Sequence, residues 1–155
     1  MRQLGFTYIG VLIAVAIISA IATASLGAGM ALQQREIEAE LLAIGLEYRV
    51  ALQSYADATP AGQPTTPMEL SDLLKDLRYP GVRRHLRRIY PDPFTGNANW
   101  GILRSPDGRI SGIHSLSNTT TIRRSGFPPG LEEFEKAELH NEWIFTPPNM
   151  PSVRR

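Results

Sequence analysis

At 155 residues the chain has room for one domain plus an appended element, not for two full cores. A formal charge of +1 lacks the large basic excess of a chain drawn globally to nucleic acid, and the absence of cysteine excludes disulfides and thiolate metal sites. The ordinary average composition hides an asymmetry: the strongly apolar sequence lies before Gln33 and most of the charge lies after it.

After Arg2 no charged residue occurs until Arg35, and an apolar run extends from Phe6 to Leu32, broken only by small polar residues such as Thr7, Ser19, Thr23 and Ser25. As an α-helix this run would be roughly 40 Å long, enough to cross a hydrocarbon core of about 30 Å. Helix is the default there because a lipid-facing backbone must satisfy its own hydrogen bonds. Buried as a core helix, so long an all-round apolar rod would exceed what the remaining residues can cover. An ordinary secretory signal is the alternative: Met1-Arg2 would be its basic region and Ala22-Thr23-Ala24 a small-x-small cleavage site, exposing Ser25 as the new N-terminus. Against it, the apolar run continues past Ala24 through Leu26, Met30 and Leu32.

From Gln33 the pattern becomes amphipathic. Ile37, Leu41, Ile44, Tyr48, Leu52 and Tyr55 recur at spacings of three or four, while Arg35, Glu36, Glu38, Glu40, Glu47, Arg49 and Gln53 fill the other faces. No proline interrupts the chain before Pro60, so one helix of roughly 50 residues is expected, with Gly27, Gly29 and Gly45 as weak points costing about 1 kcal/mol each relative to alanine. A Pro- and Gly-rich loop over 58–65 follows. Thr66-Pro67-Met68-Glu69 reads as a capping box, starting a short helix with Leu70, Leu73, Leu74 and Leu77 inward and ending before Pro80.

The stretch from Tyr90 to Trp100 is turn-rich. Trp100–Arg104 and Ile110–His114 flank Ser105-Pro106-Asp107-Gly108, a turn tetrad with proline second and glycine last, which predicts a β-hairpin. Thr119–Arg123 is a candidate third strand, and Gly130–Phe145 a candidate acidic helix before a Pro-rich tail over 146–155.

The front of the chain carries a resemblance. Met1-Arg2-Gln3-Leu4-Gly5 is a short basic leader ending in glycine, followed by Phe6-Thr7-Tyr8-Ile9 and the apolar run. This resembles the prepilin-type signal of type IV pilins and of type II secretion pseudopilins. The resemblance implies a leader over 1–5, cleavage between Gly5 and Phe6 by a prepilin peptidase, and N-methylation of Phe6. It implies a transmembrane, polymerising helix over 6–32 and a periplasmic domain over 33–145. The order of long helix, loop, short helix, Asp-Pro-aromatic loop and hairpin is similar to the soluble domain of the major pseudopilin, over roughly residues 30 to 120. The expected fold is therefore α+β and pilin-like: a long N-terminal helix, half transmembrane and half amphipathic, packed on a small antiparallel sheet.

One position departs from the family. The fifth mature residue is usually glutamate, and here it is Gly10. In assembled family members that carboxylate pairs with the N-terminal amine of a neighbour, here that of Phe6, and an unpaired buried charge costs several kcal/mol. The family precedent for its loss is a minor subunit at the filament tip; simple drift in a diverged subunit is the other reading. The implied partners are the prepilin peptidase, sister subunits and an inner-membrane assembly platform, and the implied location is the inner membrane with a periplasmic C-terminal domain.

Some family members bind calcium in the β region, where Asp92 and Asp107 are candidate oxygen ligands. Asp107 also suits its turn, and no run matches an EF-hand spacing. His85, His114 and His140 show no zinc spacing, and no nucleophile elbow or phosphate loop occurs, so the residues recruit no catalytic reading. Arg83, Arg84, Arg87 and Arg88 form a basic patch suited to an acidic partner, anionic lipid or DNA, or simply to solvent. Glu132, Glu133, Glu135, Glu138 and Glu142 offer a complementary surface. The sequence thus leaves three classes: a filament subunit, which in the pilin case can serve DNA uptake; a single-pass anchor for a periplasmic binding domain that never polymerises; and a secreted soluble domain.

Overall fold

A computed structural model describes residues 4–148, with side chains at 4–7 and 21–28 left undescribed. The expected leader residues Met1–Gln3 and the tail from Asn149 lie outside the described residues. The chain forms two compact units that meet in sequence at Glu36 and Ile37. Helix α1, Leu4–Asp57, runs through both. The first unit consists of the N-terminal part of α1, where Tyr8, Ile9, Val11, Leu12, Ile13, Val15, Ile17 and Ile18 are all more than half exposed.

The second unit is built on the amphipathic part of α1. Leu41, Ile44, Tyr48, Leu52 and Tyr55 are buried along one face, as their spacing predicts, and Ile37 is half-buried. Against this stripe packs a hairpin of β1 (Gly101–Arg104) and β2 (Ile110–His114), antiparallel, with Gly101 opposite His114 and Leu103 opposite Gly112. The register shifts between Leu103 and Arg104, where the chain enters the turn. Gly108 takes the left-handed conformation (φ +79°) that closes it, and its N–H donates to the Ser105 carbonyl at 2.8 Å. The fold is thus α+β, with one long helix and a two-stranded antiparallel sheet.

The C-terminal segment completes the core with aromatic rings. Phe134 and Trp143 stack at 5.5 Å, and Phe145 meets Phe134 edge-on at 5.2 Å. Gly45, a weak point on helix propensity alone, sits where α1 receives the Phe145 ring: a Cβ at position 45 would collide with that ring. Gly45→Ala is expected to destabilise the second unit by about 1–3 kcal/mol despite alanine's better helix propensity. Urea denaturation followed by tryptophan fluorescence measures this, and a stabilised Gly45→Ala would refute the packing argument.

Four expected elements take other forms. The short helix contracts to α2, Ser71–Leu74, because the Leu73 carbonyl accepts from the N–H groups of His85 (2.8 Å) and Leu86 (2.9 Å) instead of from Leu77, which is left 76% exposed. The Thr66–Glu69 capping box does not form. The Asp72 carboxylate instead accepts from the N–H groups of Met68 (2.9 Å) and Glu69 (3.1 Å). The third strand over 119–123 is a single bridge, Thr120 to Leu139, because the N–H groups of Ile122 and Arg123 are held by the Glu38 carboxylate. Phe145 pairs with β2 instead, exchanging two backbone hydrogen bonds with Ile113. The acidic helix is reduced to two 3-10 turns, Glu132–Lys136 and His140–Glu142, separated by extended Ala137, whose carbonyl is held by the Thr121 hydroxyl.

Candidate functional site

The residues singled out at the front of the chain share one element. Gly5, Phe6 and Gly10 lie on α1, with the side chain of Phe6 outside the described residues. Gly10 is exposed, and nothing lies within 4 Å of where its Cβ would be, so a glutamate there is sterically free. Met30 and Leu32 are 72% and 61% exposed, so apolar surface also lies uncovered beyond residue 28. Among the described residues, no helix is long and apolar enough to cross a membrane, and the expected transmembrane half is not found.

The second unit holds three polar clusters, two of which tie α1 to the rest of the fold. The first is centred on Glu38, which the helical pattern assigns to an outer face but which is 1% exposed. Its carboxylate accepts from the backbone N–H of Ile122 (2.6 Å) and Arg123 (2.9 Å) and lies 2.9 Å from His140 Nε2. His140 is itself fully buried, stacked on Phe94 at 4.0 Å. Glu38 precedes Leu41 and Leu42 by three and four residues, so it extends the buried stripe, and that spacing is the one sequence signal of its role.

The second cluster ends α1. Arg78 donates to the Tyr55 carbonyl (3.0 Å) and the Thr59 hydroxyl (2.7 Å), satisfying a helix-terminal acceptor, and its guanidinium lies 3.5 Å over the Tyr55 ring. Asp76 receives two guanidinium hydrogen bonds from Arg78, at 2.8 and 2.7 Å, and its backbone N–H at 3.0 Å. These hydrogen bonds from Arg78 hold the Asp76 carboxyl well below the usual carboxylate range. His85 Nε2 lies 3.2 Å from Asp76 Oδ2, and His85 Nδ1 lies 2.9 Å from Ser54 Oγ. With Asp76 ionised, Nε2 donates to it, and Nδ1 faces the Ser54 hydroxyl. Serine, histidine and aspartate lie in line as in a hydrolytic relay, but Ser54 sits inside α1, where the neighbouring N–H groups are engaged in the helix ladder and are not free to form an oxyanion hole. The line of groups serves to fasten the Asp76–His85 loop to the helix.

The third cluster is Asp92, fully buried, whose carboxylate accepts from Ser115 Oγ (2.7 Å) and from the N–H groups of Phe94 (2.9 Å) and Leu116 (3.4 Å). Protein donors therefore occupy the first calcium candidate. The second, Asp107, caps its own turn through Ser105 Oγ at 2.6 Å and is paired with Arg109. Hydrogen bonding by Ser105 holds its carboxyl below the usual range. Among the described residues, no group of three or more His, Asp or Glu side chains is placed to hold a metal ion.

Of the basic patch, Arg83, Arg84, Arg87 and Arg88 are exposed, with Arg83 over the Tyr79 ring (4.6 Å) and Arg88 over Tyr90 (4.9 Å). All five glutamates of the acidic stretch are exposed as well. Two of them are committed locally: Glu142 accepts from the Glu138 N–H at 2.7 Å, and Glu132 from the Gly130 N–H at 2.9 Å. No protein-family model matches the chain, and no curated protein or solved structure matches it either.

Proposed function

We propose that the chain is a membrane-anchored, pilin-like structural subunit of a type II secretion pseudopilus or related filament, which assembles by helix packing rather than by catalysis. The observation that carries this reading is the first unit of α1, whose apolar side chains from Tyr8 to Ile18 are more than half exposed wherever they are described. So large an uncovered apolar surface is unstable in water and suits lipid or the helices of neighbouring subunits. The Gly5-Phe6 junction ahead of it supplies the processing signal, and the α+β second unit is the part that would face the periplasm. Prepilin peptidase, sister subunits and an inner-membrane platform are the partners this requires.

Mass spectrometry of the mature N-terminus tests the reading. An N-methylated chain beginning at Phe6 is the expected result; a chain beginning at Ser25 indicates ordinary secretion, and an intact Met1 a plain anchor. The absence of a carboxylate at Gly10 further supports a tip or initiating position over the repeating one. Because position 10 is sterically open, Gly10→Glu is expected to leave the fold intact while altering incorporation into filaments. Unchanged filament yield and secretion in that variant would remove the support for an initiating role.

A further inference from the structure

Charge is segregated on the surface of the second unit. Between Asp76 and Asp92, both buried and hydrogen-bonded, the chain has no Asp or Glu, and Arg83, Arg84, Arg87 and Arg88 are exposed there. The two outer guanidiniums rest on rings, Arg83 on Tyr79 and Arg88 on Tyr90. Arg84 and Arg87 between them form no ion pair among the described residues. Two carboxylates of α1 border the patch, and each has another partner. Glu47 lines a groove with Arg87 but is turned to the Tyr90 hydroxyl, and Asp57 lines a cleft with Arg83 but accepts from the Gln53 amide at 2.7 Å.

The 3-10 turns carry the opposite sign: from Glu132 to Glu142 the five exposed glutamates accompany one formal cation, Lys136. Glu132 and Glu142 hold backbone N–H groups, and Glu132 also feels Arg49. That leaves Glu133, Glu135 and Glu138 exposed and without an ion pair among the described residues. Neither patch is neutralised within one copy, yet the chain as a whole is close to neutral at +1. A foreign acidic partner or an anionic surface would answer the arginines and leave the glutamates bare. A second copy answers both, because each copy then offers its arginines to one neighbour and its glutamates to the next. Contact between unlike surfaces of identical chains repeats without having to close. We propose that the arginines at 83–88 dock onto the acidic stretch at 132–142 of a second copy of this chain, steered there by opposite charge. The contact deepens the filament reading and rests on it, by naming the surfaces through which the second units of neighbouring copies meet.

The chain has no cysteine, so one introduced thiol reports one place. Val82, 74% exposed beside Arg83, and Lys136, exposed among the glutamates, can each become cysteine without removing a charge that is to pair. Full-length Val82→Cys and Lys136→Cys chains are mixed in non-ionic detergent micelles at low salt and joined with a short bis-maleimide. Links between unlike chains are expected to exceed links between like chains about tenfold, and to lose that excess in about 1 M salt. Arg84→Glu with Arg87→Glu in the first chain is expected to lower the unlike links about tenfold. Glu133→Arg with Glu135→Arg in the second chain is then expected to restore them, which a folding defect in the first chain would prevent. An unchanged near-UV spectrum verifies the fold of each variant. Like links as abundant as unlike ones, unlike links indifferent to the arginine reversal, or no restoration by the glutamate reversal each overturns the contact. With an N-methylated Phe6 at the mature N-terminus, any of these results retains the filament reading and removes the contact alone.

Discussion

Replacing Glu38 with alanine is expected to cost the second unit about 3–5 kcal/mol, the loss typical of removing one member of a buried, hydrogen-bonded pair. The carboxylate serves three groups at once: the N–H of Ile122, the N–H of Arg123 and Nε2 of His140. Without it, His140 Nε2 has no water to turn to, since Glu38 and His140 are 1% and 0% exposed, and the two part-buried N–H groups lose their acceptor. The damage extends beyond one contact, because Glu38 anchors a segment 84 residues away in sequence and so fastens the C-terminal aromatic residues to α1. Glu38→Gln retains one acceptor but turns an amide donor towards a backbone donor, and is expected to cost roughly half as much. At about 3–5 °C per kcal/mol for a domain of this size, alanine lowers the melting temperature by roughly 10–25 °C. Near-UV circular dichroism of Trp100 and Trp143 reports the melt free of the helical background of α1. A fall below about 1 kcal/mol would mean that water replaces the carboxylate and that the cluster is ornamental to stability.

The parts of the fold legible in the sequence are those where one local rule dominates. The stripe from Leu41 to Tyr55 follows the helical period and is buried as that period requires. The hairpin is announced by Ser-Pro-Asp-Gly, and both strands lie within a residue of their expected bounds. Two of the failures share a cause: a group farther along the chain takes the hydrogen bond that the local element needed. Glu38 takes the N–H groups that a strand over 119–123 would have paired, and His85 and Leu86 take the Leu73 carbonyl that a longer α2 would have used. Such competition spans tens of residues and leaves no periodic trace. The same holds for the site. Gly10 and the Gly5-Phe6 junction are visible as a motif, whereas Glu38 reads as one more polar residue on a solvated face until the N–H groups of Ile122 and Arg123 close on it. Gly45 shows the converse, a residue that propensity marks as a defect and packing marks as a requirement.

The expected result for Arg78→Met is a loss of about 3–5 kcal/mol in the second unit, together with a changed response to acid. Arg78 holds the Asp76 carboxylate through two guanidinium hydrogen bonds and its backbone N–H, while its guanidinium also reaches the Tyr55 carbonyl and the Thr59 hydroxyl at the end of α1. Methionine keeps much of the apolar stem over Tyr55 but removes the charge, so Asp76, whose side chain is fully buried, is left with His85 as its remaining side-chain partner. The sign of the pH effect follows from the direction of the Asp76 shift. Its carboxyl is held below its unfolded value near 3.8, so the stabilisation it gives is complete above about pH 5 and is lost progressively as the pH falls below about 4. At the opposite end, burial pushes the Tyr48 hydroxyl up to about 12, so stability declines as the pH rises from about 10 towards 12. Wild type is therefore expected to show a plateau between these limits. In Arg78→Met the acid edge of that plateau flattens, because Asp76 is no longer held below its unfolded value and has less stabilisation to lose on protonation, while the alkaline edge set by Tyr48 stays in place. Urea midpoints measured from pH 3 to 11 separate the two edges. An acid edge as steep as that of the wild type would show that the stability lost with Arg78 comes from the end of α1 alone, and that Asp76 draws its ionisation from elsewhere.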